Sequence, residues 1–473
     1  MPILNEPGEK ISVELPPRKA RLAGRTRVLV VGGGPAGIGA AAGSASAGAE
    51  TILVERHGFL GGNATAALVM PLMSFHTQKY RPVKKKAGKA FFPSDHGPGD
   101  PVIAGALSDF LDRLVRNGGA LNPDRNTGYV VPFDPEIFKL TALEMMDSLN
   151  VRMLYHAFAS GVYESNGRRG VIFETKSGPL VIEADVIVDC TGDGDIAAAA
   201  GAGFMTGREE DGSVQPMTLM FRIGDFNREA FRAYIRENPD QWKSVYGLWD
   251  IVKKASLAGE LDLKRENILF FDTMHERELS VNSTRVINVS GVNVWDLSYA
   301  EWEGRRQVKQ ISEFFRKYVP GFEDTYVLQT GVTVGVRETR RITGNYILTG
   351  NDVLNASRFD DAIARSSYPV DVHNPKGKGT TLTPLPPGES YDIPLRCLLP
   401  KNLDNILVAG RCISGDHVAH SSYRVMPVSM ATGQAAGVCA ALASLNKTDT
   451  SRTDPSEIMK ELLRQGADPG RRL

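Results

Sequence analysis

Residues 27–56, RVLVVGGGPAGIGAAAGSASAGAETILVER, constrain this chain more than any other stretch. A run of branched apolar residues ends in Gly32-Gly33-Gly34-Pro35-Ala36-Gly37. An alanine-rich segment of helical length follows, then a second apolar run, 52–54, and Glu55. Strand, glycine turn, helix, strand and acid, in that order, make a dinucleotide-binding unit. Gly32 permits the tight turn, Gly34 lets backbone approach a pyrophosphate, and Gly37 lets helix pack on strand. The helix that Pro35 opens offers free N–H groups, from Ala36 onward, and a positive dipole end to phosphates. Glu55, twenty-three positions beyond Gly32, suits the ribose hydroxyls of an adenosine half.

At 473 residues the chain exceeds the usual limit for one core, so two connected domains are expected. Its 55 basic and 55 acidic residues balance, which removes net charge as an argument for nucleic acid or an anionic membrane. Cys190, Cys397, Cys412 and Cys439 form no C-x-x-C pair and no metal-ligand spacing, so a redox disulfide and a metal centre are not expected. Reduced thiols, a polar proline-rich N-terminus and no run of roughly 20 apolar residues lead us to expect a cytoplasmic protein without a membrane span.

Residues 1–25 read as an irregular arm. Arg56 and the loop Gly61-Gly62-Asn63-Ala64-Thr65 follow the acid, near the dinucleotide. Residues 80–101, with Lys84-Lys85-Lys86, read as a solvated surface excursion. Helical periodicity covers 102–117, and Asp134-Pro135 opens a helix through Leu149. Alternating runs at 151–164, 170–176 and 180–183 predict a three-stranded meander, followed by a return strand at 186–189. That strand runs into Thr191-Gly192-Asp193-Gly194-Asp195, at the sheet edge where ligands of open α/β sheets bind. From 207 to 394, strand-like runs at 214–223, 268–271 and 286–289 mix with helices. The clearest helix is expected to start at a capping box, Ser298-x-x-Glu301. The strand pattern returns at 405–410, and Met426-Pro427 opens a small-residue helix, 428–443.

Several motifs stand in order: VGGGPAG (31–37), LGGNAT (60–65), DCTGDGD (189–195), VRETRRI (336–342), YDIPLRCLLP (391–400), NILVAGRCIS (405–414), then VMP (425–427) and GQAAG (433–437). In these the chain resembles the FAD-dependent oxidoreductases of the glutathione-reductase-like superfamily. More narrowly, it looks like relatives of the heterodisulfide reductase A subunit. The resemblance implies an α/β fold: a Rossmann-like FAD-binding domain, with parallel sheet and three-stranded meander, plus a mixed α+β substrate domain. The expected FAD domain is discontinuous (26–75, 130–206, 395–450). The substrate domain takes 76–129 and 207–394, and 451–473 form a tail.

The resemblance adds Ala159, Thr191, Gly192, Asp193, Gly410, Arg411, Pro427, Gly433 and Ala435 to the expected FAD contacts, the last helix lying beside the flavin ring. One departure is plain: the superfamily's last strand usually ends Gly-Asp, whereas Arg411 follows Gly410 here. The acid's ribityl role is not transferred to Arg411, and Asp416 is the nearest acid. No second complete G-x-G-x-x-G appears between 200 and 400, which argues against a separate nicotinamide domain.

For the chemistry, Arg337 within RETRR suits a bidentate carboxylate, with a structural ion-pair cluster as the alternative. In TyrProValAspValHis (368–373), alternation puts Asp371 and His373 on one face, so His373 is a candidate base. His420 and Arg424, in a segment read as a loop beside the flavin, are the leading pair. Tyr391 and Arg396 are supporting candidates, and His417 is expected to cap the loop. His57 lies at the adenosine end, which argues against a histidyl–flavin bond there. The expected activity is hydride transfer between a small polar substrate and flavin N5. An electron-transfer flavoprotein with a partner subunit and a nicotinamide-dependent dehydrogenase stay open, as do the electron acceptor and self-association.

Overall fold

The computed structural model describes residues 3–4, 6–8, 11–78, 91–92, 99–123, 130–377 and 379–470; the lysine run at 84–86 lies outside the described residues. Val28, Leu29, Val30 and Val31 are buried, as a strand covered on both faces requires. They end β1 (Arg21–Val31), which pairs in parallel with β2 (Thr51–Val54) and β6 (Leu180–Asp189). β2 pairs in parallel with β3 (Arg152–Leu154). On the other side β6 pairs antiparallel with β5 (Arg168–Glu174), and β5 with β4 (Phe158–Ser165). The strand Ile406–Val408 joins in parallel beside β6, giving a seven-stranded mixed sheet.

Two local expectations change. The supposed arm already contains strand, because Arg21 to Thr26 pair with Leu180 to Ala184. The third meander strand and the return strand are one element, β6. Its polar middle, Glu183-Ala184-Asp185, reads as a break in sequence. Glu183 instead accepts from Arg25 at 2.8 Å and Asp185 from the Ser444 hydroxyl at 2.6 Å.

Helices α1 (Pro35–Ser46), α2 (Ala106–Arg116) and α3 (Pro135–Ser148) pack on this sheet's core. Asp134 caps α3 as expected, accepting the Glu136 and Ile137 N–H groups at 2.7 and 3.2 Å. The helix Met426–Asn446 crosses α1 closely. A Cβ on Gly433 or Gly437 would overlap the Ala36 or Ala40 carbonyl, and one on Gly39 or Gly43 the Met430 or Gln434 carbonyl. This helix is long and apolar enough to cross a membrane by length and composition, contrary to expectation, but 83% of its apolar window is buried inside the protein.

A second core gathers Phe91 and buried residues from Met217 to Val334 around a six-stranded antiparallel sheet. The helix Val294–Tyr318 covers it, starting a turn before the expected capping box. Asn293 is the cap, accepting from Trp295 and Asp296 at 2.8 and 3.3 Å, and the Ser298 hydroxyl turns back to the Val294 carbonyl. Of the run 214–223 only the end is strand, Phe221–Gly224, and 286–289 contribute one bridge, Val286 to Met217. α2 and buried residues between Ile342 and Ile393, placed with the substrate domain above, belong to the first core. The expected tail holds a helix, Pro455–Arg464, capped by Asp454 and burying Ile458, Met459 and Leu462. All four cysteines are free and buried.

Candidate functional site

The carboxyl ends of β1, β2, β6 and the strand Ile406–Val408 open onto a cleft of about 980 Å³, its mouth included. Gly32, at φ +100°, turns the chain so tightly that a Cβ there would press on the Cys190 carbonyl. A Cβ on Gly34 would meet only the Gly62 Cα, at 3.8 Å, so this position faces open space beside the cleft. Pro35 and Ala36 also line it, where α1 begins with no side chain capping its first N–H groups. Glu55 lines the cleft at its far end. Its carboxylate accepts Gly33 N–H at 2.6 Å and His57 N–H at 2.8 Å, which aims it at the turn. Arg56, Gly62, Asn63, Ala159, Thr191, Gly192, Gly410 and Arg411 complete the expected residues found on this wall.

Others stand behind it. Gly37 packs on the Gly32 carbonyl, as expected of the third motif glycine. Gly61 makes the preceding turn at φ +114°, Ala64 is buried, and the Thr65 hydroxyl donates to the Leu60 carbonyl at 2.8 Å. Asp193 does not line the cleft; it accepts from Arg411 Nη2 at 2.9 Å and from the Thr339 hydroxyl at 2.8 Å. Gly433 serves the α1 crossing and Ala435 is buried, so neither lies beside the cleft. Asp416, the nearest acid to Arg411, caps the helix His417–Tyr423 instead. Upstream, Asp189 accepts from Thr191, Ile196 and Ala197 and so shapes the Thr191 turn; burial pushes its carboxyl up to about 6. His57 lines the cleft with Nε2 buried and unpartnered, and burial lowers its pKa.

A second cavity, about 850 Å³, shares Asn63, Arg411, Arg424 and Met426 with the cleft. Pro427 lines this cavity rather than the first. Its apolar lining is Val69, Met70, Met73, Met220, Phe271 and Val336, with Val425 beside Met426. The polar lining brings Arg337, Tyr368, Asp371, His373 and Arg424 together. Asp371 and His373 share a face as the alternation implies, His373 Nε2 lying 3.4 Å from Asp371 Oδ2. Tyr368 Oη and Arg424 Nη2 also reach that carboxylate, at 3.0 and 3.1 Å. Burial is the main force holding the His373 imidazole down, to about 4, so it is neutral at neutral pH. Arg337 donates through Nη1 to the Pro216 carbonyl at 2.6 Å and the Thr218 hydroxyl at 2.7 Å; burial, with Arg424 nearby, pulls it down to about 9.

The rest of RETRR is structural. Arg341 pairs with Glu338, which also accepts from His417 and Gln215, and Arg340 pairs with Asp195 at 2.8 Å. The expected base His420 lines neither cavity. Its segment is not a loop but the helix His417–Tyr423, where it is fully buried with both ring nitrogens unpartnered. Burial, then the positive charge of Arg341, Arg424 and Arg411, pushes it well below the usual histidine range. Tyr391 is buried against Ser422, and Arg396 pairs with Asp361 near the surface; neither reaches a cavity. Sequence reasoning missed the apolar lining and Thr218, which no periodic pattern singles out.

A glycine-turned cleft at the carboxyl ends of a parallel-centred sheet is the architecture of a dinucleotide-binding α/β protein. Over residues 27–462 the sequence matches the family described as FAD dependent oxidoreductase, and the chain belongs to that family. It is an enzyme, and FAD is its cofactor. The cleft fits the group: open space beside Gly34, an uncapped helix start, and buried unpartnered nitrogens on His57, Arg411 and Arg424. Thiamine thiazole synthase from Aeropyrum pernix is 26% identical over 186 residues, 36% of this chain and 69% of that protein. A geranylgeranyl bacteriochlorophyll reductase-like protein from Thermoplasma acidophilum has a similar structure, with TM-score 0.43 and 14% identity over 94% of this chain and 84% of that one. For p-nitrophenol 4-monooxygenase from Pseudomonas putida the TM-score is 0.43, with 12% identity over 93% and 83%.

Proposed function

We propose that this enzyme removes a hydride from a small polar substrate held in the second cavity. The observation that carries this reading is the shared lining: Asn63, Arg411, Arg424 and Met426 belong to both cavities, which makes the two immediate neighbours. Glu55 would hold the adenosine ribose, the Gly32–Gly34 turn and the start of α1 the pyrophosphate, and Thr191, Gly192, Gly410 and Arg411 the part beyond it. FAD, when bound, supplies a two-electron acceptor at N5. The protein's own work is to place the substrate and take its proton. His373 takes up a hydroxyl proton, and the Asp371 carboxylate, 3.4 Å from its Nε2, stabilises the imidazolium. Tyr368 and Arg424 fix that carboxylate from the other side. We retain the narrower kinship with heterodisulfide reductase A relatives on the ordered motifs alone.

The test is anaerobic mixing of the FAD-loaded protein with alcohols, hydroxy acids, sugars and amines, followed by flavin absorbance. His373→Ala is expected to slow reduction by the active compound roughly 10²–10⁴-fold with flavin content unchanged. An unchanged rate removes His373 from the mechanism.

A further inference from the structure

Charge is unevenly balanced at the second cavity. Among the described residues Arg337 makes no ion pair: Nη1 meets two neutral oxygens, and Nε and Nη2 donate to no group of those residues. Two more arginines lie close behind. Arg265 donates to the Asn282 carbonyl at 2.9 Å and the Asn267 side chain at 3.3 Å; Arg285 donates to the Asn374 and Gly379 carbonyls at 2.9 and 3.1 Å. Arg265, Arg285 and Arg424 all act on Arg337, and Asp371 is the acid that opposes them. That carboxylate is already engaged by Arg424, Tyr368 and His373. A buried guanidinium without a counter-charge is costly, and an anion entering the cavity relieves that cost. The lining also includes Met70, Met73, Met220 and Phe271, which offer an entering molecule apolar contact, and Asn282, whose side-chain oxygen is buried without a partner among the described residues.

We propose that the second cavity takes an organic carboxylate, with its anionic group on Arg337 and its apolar stem along the methionine and phenylalanine side chains. This rests on reading the second cavity as the substrate site, and it names the substrate's class. A planar guanidinium with two open N–H groups matches a carboxylate's two oxygens, a geometry that a neutral amide or alcohol does not offer.

The experiment is a titration of the FAD-loaded protein with acetate, butyrate and hexanoate, and with hexanamide and hexanol, read as perturbation of the flavin spectrum and by calorimetry. Hexanoate is expected to bind at least tenfold tighter than hexanamide, and affinity to rise roughly three- to fourfold per added methylene. Arg337→Met should weaken hexanoate binding roughly 10–100-fold, with Arg337→Lys between and FAD content unchanged. Equal affinity for acid and amide overturns the proposal, and this comparison needs no variant. So does a hexanoate affinity that Arg337→Met leaves unchanged. The broader reading fails separately. A neutral compound that reduces the flavin in a His373-dependent, Arg337-independent way sinks the carboxylate and keeps the hydride chemistry. Tight, Arg337-dependent hexanoate binding beside a His373→Ala variant that reduces at the wild-type rate does the reverse.

Discussion

Gly34 shows how much a single absent side chain decides. Its Cβ position is bordered by one atom, the Gly62 Cα at 3.8 Å, so a larger residue there fills the cleft without disturbing the core. Gly34→Val is therefore expected to fold with the wild-type unfolding midpoint and to bind little FAD. Retained stoichiometric flavin would refute the pyrophosphate assignment. His420 supplies the contrasting case. It lines neither cavity, and both ring nitrogens are buried without partners, so His420→Leu should leave the rate of flavin reduction within about threefold and stability equal or higher. His373 and His76 titrate unusually, both held near 4 chiefly by burial, against 6.5 for an unperturbed histidine. Between those values the unfolded chain binds more protons than the folded one, so stability is full above pH 6.5 and falls as pH drops toward 4. Urea midpoints measured across that window should fall less in His76→Gln/His373→Gln than in the wild type. The acid limb of the activity profile should likewise lie near pH 4 rather than 6.5.

Among the elements, the crossing of α1 with the helix Met426–Asn446 governs the site from behind. Gly39 and Gly43 on one helix, Gly433 and Gly437 on the other, let carbonyls approach where a Cβ would collide. That contact sets where both helices begin, and so where Pro35, Ala36 and Met426 meet the cleft. Gly433→Val should destabilise the protein by about 3 kcal/mol and lower flavin content, whereas Gly24→Ala, with nothing within 4 Å, should change little. The small-residue pattern of 428–443 is visible in sequence, but its partner is not. The same glycines suit a flat ring or another helix, and only packing chose the helix. The capping box at Ser298 fails similarly: Asn293, one turn earlier, takes the first N–H groups, and Glu301 accepts Val334 N–H at 2.7 Å instead of reaching back to Ser298.

At the scale of the molecule, the cleft is closed only when the two ends of the chain meet. Gly410, Arg411, Met426 and Ser429 face Gly32, Gly34 and Glu55 across it. Saturating FAD is accordingly expected to raise the thermal midpoint with added ligand, and truncation before Ile406 should abolish flavin retention. The first motif, its strand order and the nucleotide class were legible from residues 27–56, because glycine spacing and an acid-capped strand are local and chemically specific. The arginine cluster was legible as a cluster, yet not its division: Arg337 turns to the cavity while Arg340 and Arg341 are tied to Asp195 and Glu338. Choosing His373 over His420 also lay beyond local pattern. Both are single histidines in polar surroundings, and only the packed chain leaves the second buried without a partner and outside both cavities. By itself, then, the sequence determined an α/β chain that binds a dinucleotide, since turns, helix starts and strand burial follow from neighbours along the chain. Which polar groups share a cavity was decided by tertiary structure, because that depends on two cores and both chain ends arriving at one place.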